Sequence, residues 1–190
     1  SEAVDGETAA VMVEAVQGEG GVNPAIPGFL QEVEKVCRTH GVLLIVDEVQ
    51  TGIGRTGKAF AYQHDGISPD IITLAKGLGN GFPVGAMIGK QELADTFGPG
   101  THGTTFGGNP LAMAAANAVL DAVFDEDFLA GVTEKGDYLL GKLQDHLTDS
   151  PFVETVRGKG LMIGIACREE VGEIVTSLRA KGLLVLVAGP

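Results

Sequence analysis

The sequence predicts an α/β domain with a largely parallel sheet, followed by a smaller α+β unit. Three short apolar runs, at residues 42–46, Ile71–Leu74 and 84–88, indicate strands that are buried on both faces. The first part of the chain also contains a further strand pattern and two helical patterns, and an alternation of strands and helices is typical of a parallel sheet. After residue 127 the predicted order becomes helix, strand, strand, helix, strand. We therefore place a domain boundary near Asp125, which divides the chain into residues 1–124 and residues 125–190.

The first part also contains a predicted strand at residues 8–16 and two predicted helices. One helix opens at Pro27 and ends at Gly41, because proline suits the first turn of a helix and glycine the position after the last turn. The other begins at Asn109 and Pro110, which supply an N-cap and a first-turn proline.

The second part begins with a long apolar periodicity that predicts a helix over residues 128–147. The remaining predicted elements are two strands joined through glycines (residues 153–157 and 161–166), a helix (residues 171–181, capped by Gly182) and a last strand (residues 183–187). These elements make up the predicted α+β unit.

Composition and charge exclude several classes of protein. The 190 residues carry 25 acidic and 13 basic side chains, with a formal net charge of −12 and no basic stripe, so we expect no nucleic-acid partner. No apolar run reaches the roughly 18 residues that a membrane helix needs, and the first residues do not resemble a signal peptide. Cys37 and Cys167 are too few for a disulfide scaffold or a zinc site. We expect a cytoplasmic protein without a bound metal.

A glycine-rich segment at residues 52–58 (GIGRTGK) fits G-x-G-x-x-G and most of a Walker A motif. Walker A requires serine or threonine after the lysine, whereas this chain has Ala59. Both nucleotide motifs also require a long helix directly after the loop, and no such pattern follows. Nucleotide binding by this loop is therefore a minor alternative to a tight surface or interface loop.

Two predicted strands are followed by ionisable side chains that could take part in catalysis. The run at residues 43–46 continues into Asp47, and the run Ile71–Leu74 is followed by Ala75 and Lys76. Ligands of open α/β sheets bind beyond the carboxyl ends of the strands, so both side chains fall where a ligand is expected. If the first strand continues to Gln50, alternation places Asp47 and Val49 on one face.

Two interpretations of Asp47 and Lys76 remain open on these patterns alone. The two side chains could form a structural ion pair, or the lysine could extend to water. Alternatively, a partly buried lysine could form an imine with a carbonyl, while the aspartate keeps a pyridinium nitrogen protonated.

Four segments in order give the chain a resemblance to a known family: residues 13–21 (VEAVQGEGG), residues 47–57 (DEVQTGIGRTG), residues 69–77 (PDIITLAKG) and residues 102–110 (HGTTFGGNP). Together they resemble the class III pyridoxal-phosphate aminotransferases, most closely the acetylornithine aminotransferase group. The resemblance covers essentially the whole chain. It implies fold type I, with the second half of a large, mostly parallel mixed-sheet domain and most of a small C-terminal domain.

The resemblance also implies a role for individual residues. Lys76 matches the lysine that carries the cofactor as a Schiff base, and Asp47 matches the partner of its pyridine nitrogen. Val49 matches the residue that packs on the cofactor ring, and Gln50 the one near its phenolic oxygen. The other matches are Thr105 (cofactor phosphate, across a homodimer interface), Thr104 (its neighbour near the substrate) and Glu19 (the substrate mouth).

The implied reaction moves the terminal amino group of N-acetylornithine to 2-oxoglutarate, in arginine biosynthesis. Succinylornithine, ornithine and 4-aminobutyrate aminotransferases are the alternatives within the class, and a non-catalytic pseudoenzyme is an alternative outside it. The family's phosphate-binding loop and its ring-stacking aromatic residue precede the first residue of this chain, and its carboxylate-binding arginine follows the last. We therefore expect the 190 residues alone to have little or no activity.

Overall fold

The computed structural model describes residues 3–189. Within them the strands are β1 (Ala10–Val13), β2 (Val16–Gln17), β3 (Asn23–Pro24), β4 (Leu43–Asp47), β5 (Ile71–Leu74), β6 (Ala86–Gly89), β7 (Val153–Lys159) and β8 (Met162–Cys167). The α-helices are α1 (Phe29–His40), α2 (Pro110–Val123), α3 (Glu126–Leu147) and α4 (Gly172–Ala180). Short 3-10 turns occupy Ala61–His64, Lys76–Leu78 and Gln91–Thr96.

The large sheet has the strand order β1-β4-β5-β6. The β1–β4 and β4–β5 pairs are parallel, as expected, whereas β6 pairs antiparallel with β5. A parallel neighbour requires a long crossover, usually a helix. The connection between β5 and β6 contains only the 3-10 turn Lys76–Leu78, so the chain reverses direction there. The sheet is therefore mixed and mostly parallel.

The core lies on one face of β4. Leu44 and Val46 are fully buried and belong to the same apolar cluster as Leu30 and Cys37 of α1. Burial of such a side chain stabilises the fold by about 1.5–3 kcal/mol. The alternate residues of β4 are only partly covered, so the prediction of burial on both faces is wrong for the described residues. One helix packs on this sheet face, and an apolar run alone does not show whether a second layer covers the other.

The predicted first strand is shorter than residues 8–16. The chain leaves the large sheet after Val13, and it forms the two-residue strand β2, which pairs with β3. The carboxylate of Glu14 accepts a hydrogen bond from the Gly18 backbone N–H at 2.9 Å, and the Ala15 carbonyl accepts one from the Ala25 N–H at 3.0 Å. These local bonds replace further pairing with β4.

The helix ends follow the expected signals. Gly41 adopts a left-handed conformation (φ 67°) after α1, and the Asn109 side chain accepts a hydrogen bond from the Ala112 N–H at 2.9 Å. Helix α3 starts at Glu126 and not at residue 128, because the Asp125 side chain caps it by accepting from the Phe128 N–H at 2.9 Å.

In the second part, β7 and β8 form the expected antiparallel hairpin, and α4 follows it. The strand predicted for residues 183–187 is wrong. This segment has no regular structure, and Leu184 and Leu186 are 81% and 90% exposed. A strand requires a hydrogen-bonded neighbour, and none of the described strands pairs with this segment.

The division at Asp125 stays a prediction, although the junction between α2 and α3 falls there. Among residues 3–189, no helix is long and apolar enough to cross a membrane. The same residues contain no cluster of three His, Cys, Asp or Glu side chains that could hold a metal ion.

Candidate active site at the strand ends

The carboxyl ends of β4 and β5 meet at one edge of the large sheet. Asp47, the last residue of β4, is paired in register with Thr73 of β5. Lys76 follows β5 by two residues and opens a 3-10 turn. The parallel register therefore brings the two sequence-predicted residues to the same sheet edge.

The Asp47 carboxylate is held through one of its oxygens. Its Oδ1 accepts hydrogen bonds from the Val49 N–H at 2.9 Å and from the Thr73 hydroxyl at 3.0 Å. Within residues 3–189 no group donates to Oδ2, and no buried side-chain oxygen lacks a partner, so Oδ2 is accessible. Asp47 therefore presents an oriented carboxylate with one oxygen available to a further donor.

The strand does not continue to Gln50 as the alternation argument supposed. β4 ends at Asp47, and only the Glu48 N–H extends the pairing, to the Thr73 carbonyl at 3.0 Å. The Val49 N–H turns back onto the Asp47 side chain instead, an interaction common where aspartate ends a strand. A turn, and not strand alternation, therefore places Val49 relative to Asp47.

Lys76 occupies an unusual backbone conformation. Its φ is +43°, in the left-handed region that costs a residue with a side chain about 1–2 kcal/mol. The turn is closed by a hydrogen bond from the Leu78 N–H to the Ala75 carbonyl at 2.9 Å. Such strain concentrates at functional sites, because the surrounding structure must impose it.

The Lys76 side chain is exposed, and none of the ion pairs within residues 3–189 includes Lys76 or Asp47. The structure therefore does not contain the structural ion pair between these residues. An exposed amine meets the steric requirement for reaction with a carbonyl, and it equally fits a side chain that extends to water.

Glu19 and Gln50 lie together, as the sequence did not predict. The Gln50 side-chain N–H donates to the Glu19 carboxylate at 2.9 Å. A Cβ atom on Gly18 would collide with the Gln50 amide, so glycine at that position lets the Gln50 side chain cross the backbone. This contact joins the turn that carries Glu19 to the end of β4.

Thr104 and Thr105 are exposed in the loop that precedes α2. Within residues 3–189 neither side chain forms a hydrogen bond, and the structure does not bring them to the strand ends of this chain. Neighbouring Phe106 is 79% exposed, so the loop presents an apolar ring to its surroundings.

A recess of about 650 Å³ opens beside Asp47. Of the sequence-predicted site residues, only Asp47 lines it. The other lining residues come from β1 and the segment that follows it, namely Met12, Val13, Glu14, Gln17, Asn23, Pro24, Ala25, Ile26 and Phe29. The accessible edge of the sheet therefore has space next to its carboxylate.

Sequence reasoning missed Thr73 and Glu48. The signal for Thr73 was the register, since it faces Asp47 on the next parallel strand. Glu48 is 1% exposed and accepts hydrogen bonds from the Thr51 hydroxyl and, at 2.9 Å, from the Tyr62 N–H. Burial raises the pKa of the Glu48 carboxyl above its usual value, although these hydrogen bonds oppose the effect.

The glycine-rich loop at residues 52–58 is packed against other elements. A Cβ atom on Gly54 would lie 2.5 Å from Val123 of α2, and one on Gly57 would collide with Thr133 of α3. The Leu161 N–H donates to the Arg55 carbonyl at 3.0 Å, which joins the loop to the β7–β8 hairpin. Only the 3-10 turn Ala61–His64 follows, not a long helix. The loop glycines thus allow close packing, and this supports the interface-loop interpretation over a phosphate-binding loop.

A mixed α/β sheet with an oriented carboxylate and an accessible lysine at the ends of neighbouring strands is compatible with a carbonyl cofactor that has a basic ring nitrogen. The chain belongs to the class III aminotransferases, since the model of the family "Aminotransferase class-III" matches residues 1–190. Enzymes of this family depend on pyridoxal phosphate.

Individual relatives agree with this assignment. The chain is 61% identical over 186 residues to the acetylornithine aminotransferase of Bacillus subtilis, covering 98% of this chain and 48% of that protein. It therefore spans about half the length of the curated relative.

Solved structures show the same fold. The N-acetylornithine aminotransferase of Stenotrophomonas maltophilia superimposes with a TM-score of 0.85 at 41% identity, covering 96% of this chain and 48% of that one. An ornithine aminotransferase structure from Toxoplasma gondii, described as having partial occupancy of PLP at the active site, gives a TM-score of 0.90 at 39% identity. That match covers 95% of this chain and 43% of the other.

Proposed function

We propose that the natural protein containing these residues is an acetylornithine aminotransferase that transfers the terminal amino group of N-acetylornithine to 2-oxoglutarate. The observation that carries the proposal is the pair of strand-end side chains, an oriented Asp47 carboxylate and an accessible Lys76 amine. The 61% identity to an enzyme of that name supports the choice within the class. Ornithine aminotransferase is the second candidate, favoured by the TM-score of 0.90.

The residues present fit pyridoxal phosphate. The free Oδ2 of Asp47 suits a pyridinium N–H, and the Lys76 amine suits the aldehyde carbon. In this proposal Val49 packs on the ring, Gln50 lies near the phenolic oxygen, and Thr105 binds the phosphate of the neighbouring subunit's cofactor. Bound pyridoxal phosphate supplies a ring that takes up the negative charge left when a proton leaves the carbon beside the amine.

The protein groups would then act as follows. The Nζ atom of Lys76 would hold the aldehyde carbon of the cofactor, and its amine would serve as the base that takes a proton from the substrate carbon beside the reacting amine. The Asp47 carboxylate would accept the hydrogen bond of the ring N–H, and the Thr73 hydroxyl holds that carboxylate in place. Glu19 would contact the substrate of its own subunit, and Thr104 the substrate of the neighbouring subunit.

The proposal extends to assembly and location. A homodimer is supported by the loop with Thr104, Thr105 and Phe106, whose side chains are exposed and include an apolar ring. Cytoplasmic location is supported by two free cysteines, Cys37 and Cys167. We also propose little or no activity for residues 1–190 alone, because the chain spans about half the length of the curated relatives it matches.

Lysine mapping tests the cofactor site directly. The natural full-length protein is incubated with pyridoxal phosphate, reduced with borohydride and digested, and the modified peptide is identified by mass spectrometry. We expect the cofactor mass on the peptide that contains Lys76. Exclusive modification of Lys58 in the glycine-rich loop, or none at all, contradicts the proposal.

A substrate panel tests the choice within the class. N-acetylornithine, N-succinylornithine, ornithine and 4-aminobutyrate are compared as amino donors at equal enzyme concentration, and kcat/KM is measured for each. We expect the highest value for N-acetylornithine. A higher value for ornithine replaces the first candidate with the second.

A further inference from the structure

Arg157 of β7 reaches a turn that is remote in sequence. Its Nε–H donates to the Val22 carbonyl at 2.9 Å, and its Nη2 donates to the Gly21 carbonyl at 2.8 Å. Two adjacent carbonyls are thus held by one guanidinium, whose planar fork fixes their direction as well as their distance.

The turn at residues 18–22 is strained. The N–H groups of Gly21 and Val22 both donate to the Gly18 carbonyl at 3.1 Å. Val22 has a φ of +51°, which costs a β-branched residue about 1–2 kcal/mol or more. A strained turn of this kind persists only when contacts from outside hold it.

Two elements supply these outside contacts: Ala188 and Gly189 lie against Gly20 and Gly21, and the β7–β8 hairpin contacts the other end of the turn. Besides the Arg157 hydrogen bonds, Val22 packs directly on Gly164 of β8, where an added Cβ atom would lie 2.7 Å from the Val22 Cβ. The hairpin therefore fixes both the backbone carbonyls and the side chain at the end of the turn.

The opposite end of the same turn faces the strand-end site. Glu19, next to Gly18, accepts the hydrogen bond from Gln50, and Gln50 follows Asp47 by three residues. The turn is thus held between Gln50 on one side and Arg157 on the other. Residues 19–22 therefore connect the carbonyls held by Arg157 directly to the Glu19 carboxylate.

We propose that Arg157 is a positioning residue that fixes the Glu19 carboxylate at the substrate entrance of the strand-end site. The inference rests on the proposed aminotransferase function. Glu19 is an exposed acidic residue, so it attracts the terminal ammonium group of the amino donor, which in N-acetylornithine belongs to a zwitterion, and it does not favour the dianionic keto acid. Displacement of Glu19 then weakens productive binding of the amine and leaves the strand-end chemistry intact.

The kinetic test uses Arg157→Gln in the natural full-length protein. Loss of two charge-assisted hydrogen bonds should raise the KM for the amino donor about ten-fold, with kcat within about three-fold and the KM for the keto acid within about two-fold. Arg157→Lys keeps the positive charge but not the planar guanidinium that donates to both carbonyls. Its KM for the amino donor should lie between those of the wild type and Arg157→Gln. Arg168→Gln is the matched control, because Arg168 follows the same hairpin and its side chain forms no hydrogen bond within residues 3–189.

A double-mutant comparison separates positioning from a general structural role. If Arg157 acts through Glu19, then Arg157→Gln has no further effect on the donor KM in a Glu19→Gln background. An equal fold-change in both backgrounds, or an unchanged donor KM in Arg157→Gln, overturns the proposal.

Hydrogen exchange tests the same contact without activity. The backbone amides of residues 18–22 should exchange faster in Arg157→Gln than in the wild type, while Arg168→Gln leaves them unchanged. Unchanged exchange in Arg157→Gln contradicts the positioning role. Absence of transaminase activity in the wild type contradicts the proposed function instead, so the two failures are distinguishable.

Discussion

The loop after β4 and the loop after β5 begin at the same edge of the large sheet but have opposite surroundings. The first contains the glycine-rich residues 52–58, and its backbone is largely buried against α2, α3 and the β7–β8 hairpin. The second begins with Lys76, which is exposed and strained at φ +43°. Residues 52–58 match a ligand-binding motif but are packed against neighbouring elements. The loop that begins with Lys76 matches no such motif, yet its amine is accessible.

The difference between the two loops indicates why glycine occupies positions 54 and 57 and lysine occupies position 76. Gly54 and Gly57 have positive φ and lie where a side chain would collide with a helix. Glycine is required there by the close approach of neighbouring elements and not by a phosphate. At Lys76 a positive φ is adopted by a residue with a long, exposed side chain. Each of the following predictions tests one side of this comparison.

The largest effect is expected for Lys76→Ala in the natural full-length protein. Loss of the group that holds the cofactor and moves the proton should lower transaminase kcat about a thousand-fold or more. Lys58→Ala, the exposed lysine of the glycine-rich loop, is the matched control and should leave kcat within about two-fold of the wild type. The measurement is the steady-state kcat of both variants and of the wild type. The reverse pattern would assign the chemistry to the glycine-rich loop.

The next effect concerns stability. Gly54→Ala places a Cβ atom 2.5 Å from Val123 at a residue with φ +78°, so both overpacking and backbone strain oppose folding. We expect a loss of about 2–4 kcal/mol in the free energy of unfolding. Gly66→Ala is the control, because Gly66 has φ +65° but no atom within 4 Å of an added Cβ. It should cost only about 1 kcal/mol.

Urea unfolding of the two glycine variants, followed by circular dichroism, measures the difference. Equal losses for Gly54→Ala and Gly66→Ala would mean that helix packing does not constrain the glycine-rich loop. The interface interpretation of that loop would then be wrong.

A smaller effect is expected for Thr73→Val, which removes the hydroxyl that holds Asp47 but retains the shape of the side chain. The Val49 N–H still donates to the same oxygen, so the carboxylate loses one of two tethers. We expect kcat to fall about ten-fold, the equivalent of one hydrogen bond to a charged group. Thr73→Ser retains the hydroxyl and should stay close to the wild type. Identical kcat values for the valine and serine variants would show that the hydroxyl does not orient Asp47.

The strands that lead to Asp47 and Lys76 were predicted better than their surroundings, and the reason is their local apolar pattern. Asp47 and Lys76 follow apolar runs whose strands form almost where expected, so their positions follow from strand order alone. The antiparallel β6 was missed because strand direction depends on the length of a connection and not on apolar pattern. The strand at residues 183–187 was predicted from composition, which does not show whether a partner strand is present.

Long-range contacts could not be predicted from the sequence either, because they depend on which strands and turns become neighbours in the fold. The bonds from Thr73 to Asp47 and from Arg157 to Gly21 join residues that are distant in the chain, and only the folded register brings them together. The Gln50–Glu19 contact is of this kind as well. The roles assigned to Val49, Gln50 and Thr105 came from family resemblance and stay predictions.

The smallest effect lies at Glu48, which follows Asp47 and anchors the start of the glycine-rich loop. Burial raises its folded pKa above the unfolded value of about 4.5. Between these two values the folded protein keeps a proton that the unfolded chain has released. The stability contributed by this proton is therefore fully present below the unfolded pKa and is lost as pH rises through the raised folded pKa.

Glu48→Gln removes this titration, so the free energy of unfolding should depend less steeply on pH in that window. The measurement is urea unfolding at several pH values from about 4 upward, with wild type, Glu48→Gln and the exposed control Glu92→Gln compared at each pH. Only the Glu48 variant should show the flatter profile. The same slope in all three proteins would mean that the buried carboxylate is not stabilised as the neutral acid. The hydrogen bonds from Thr51 and Tyr62 would then outweigh burial, and the glycine-rich loop would be anchored by a charged group.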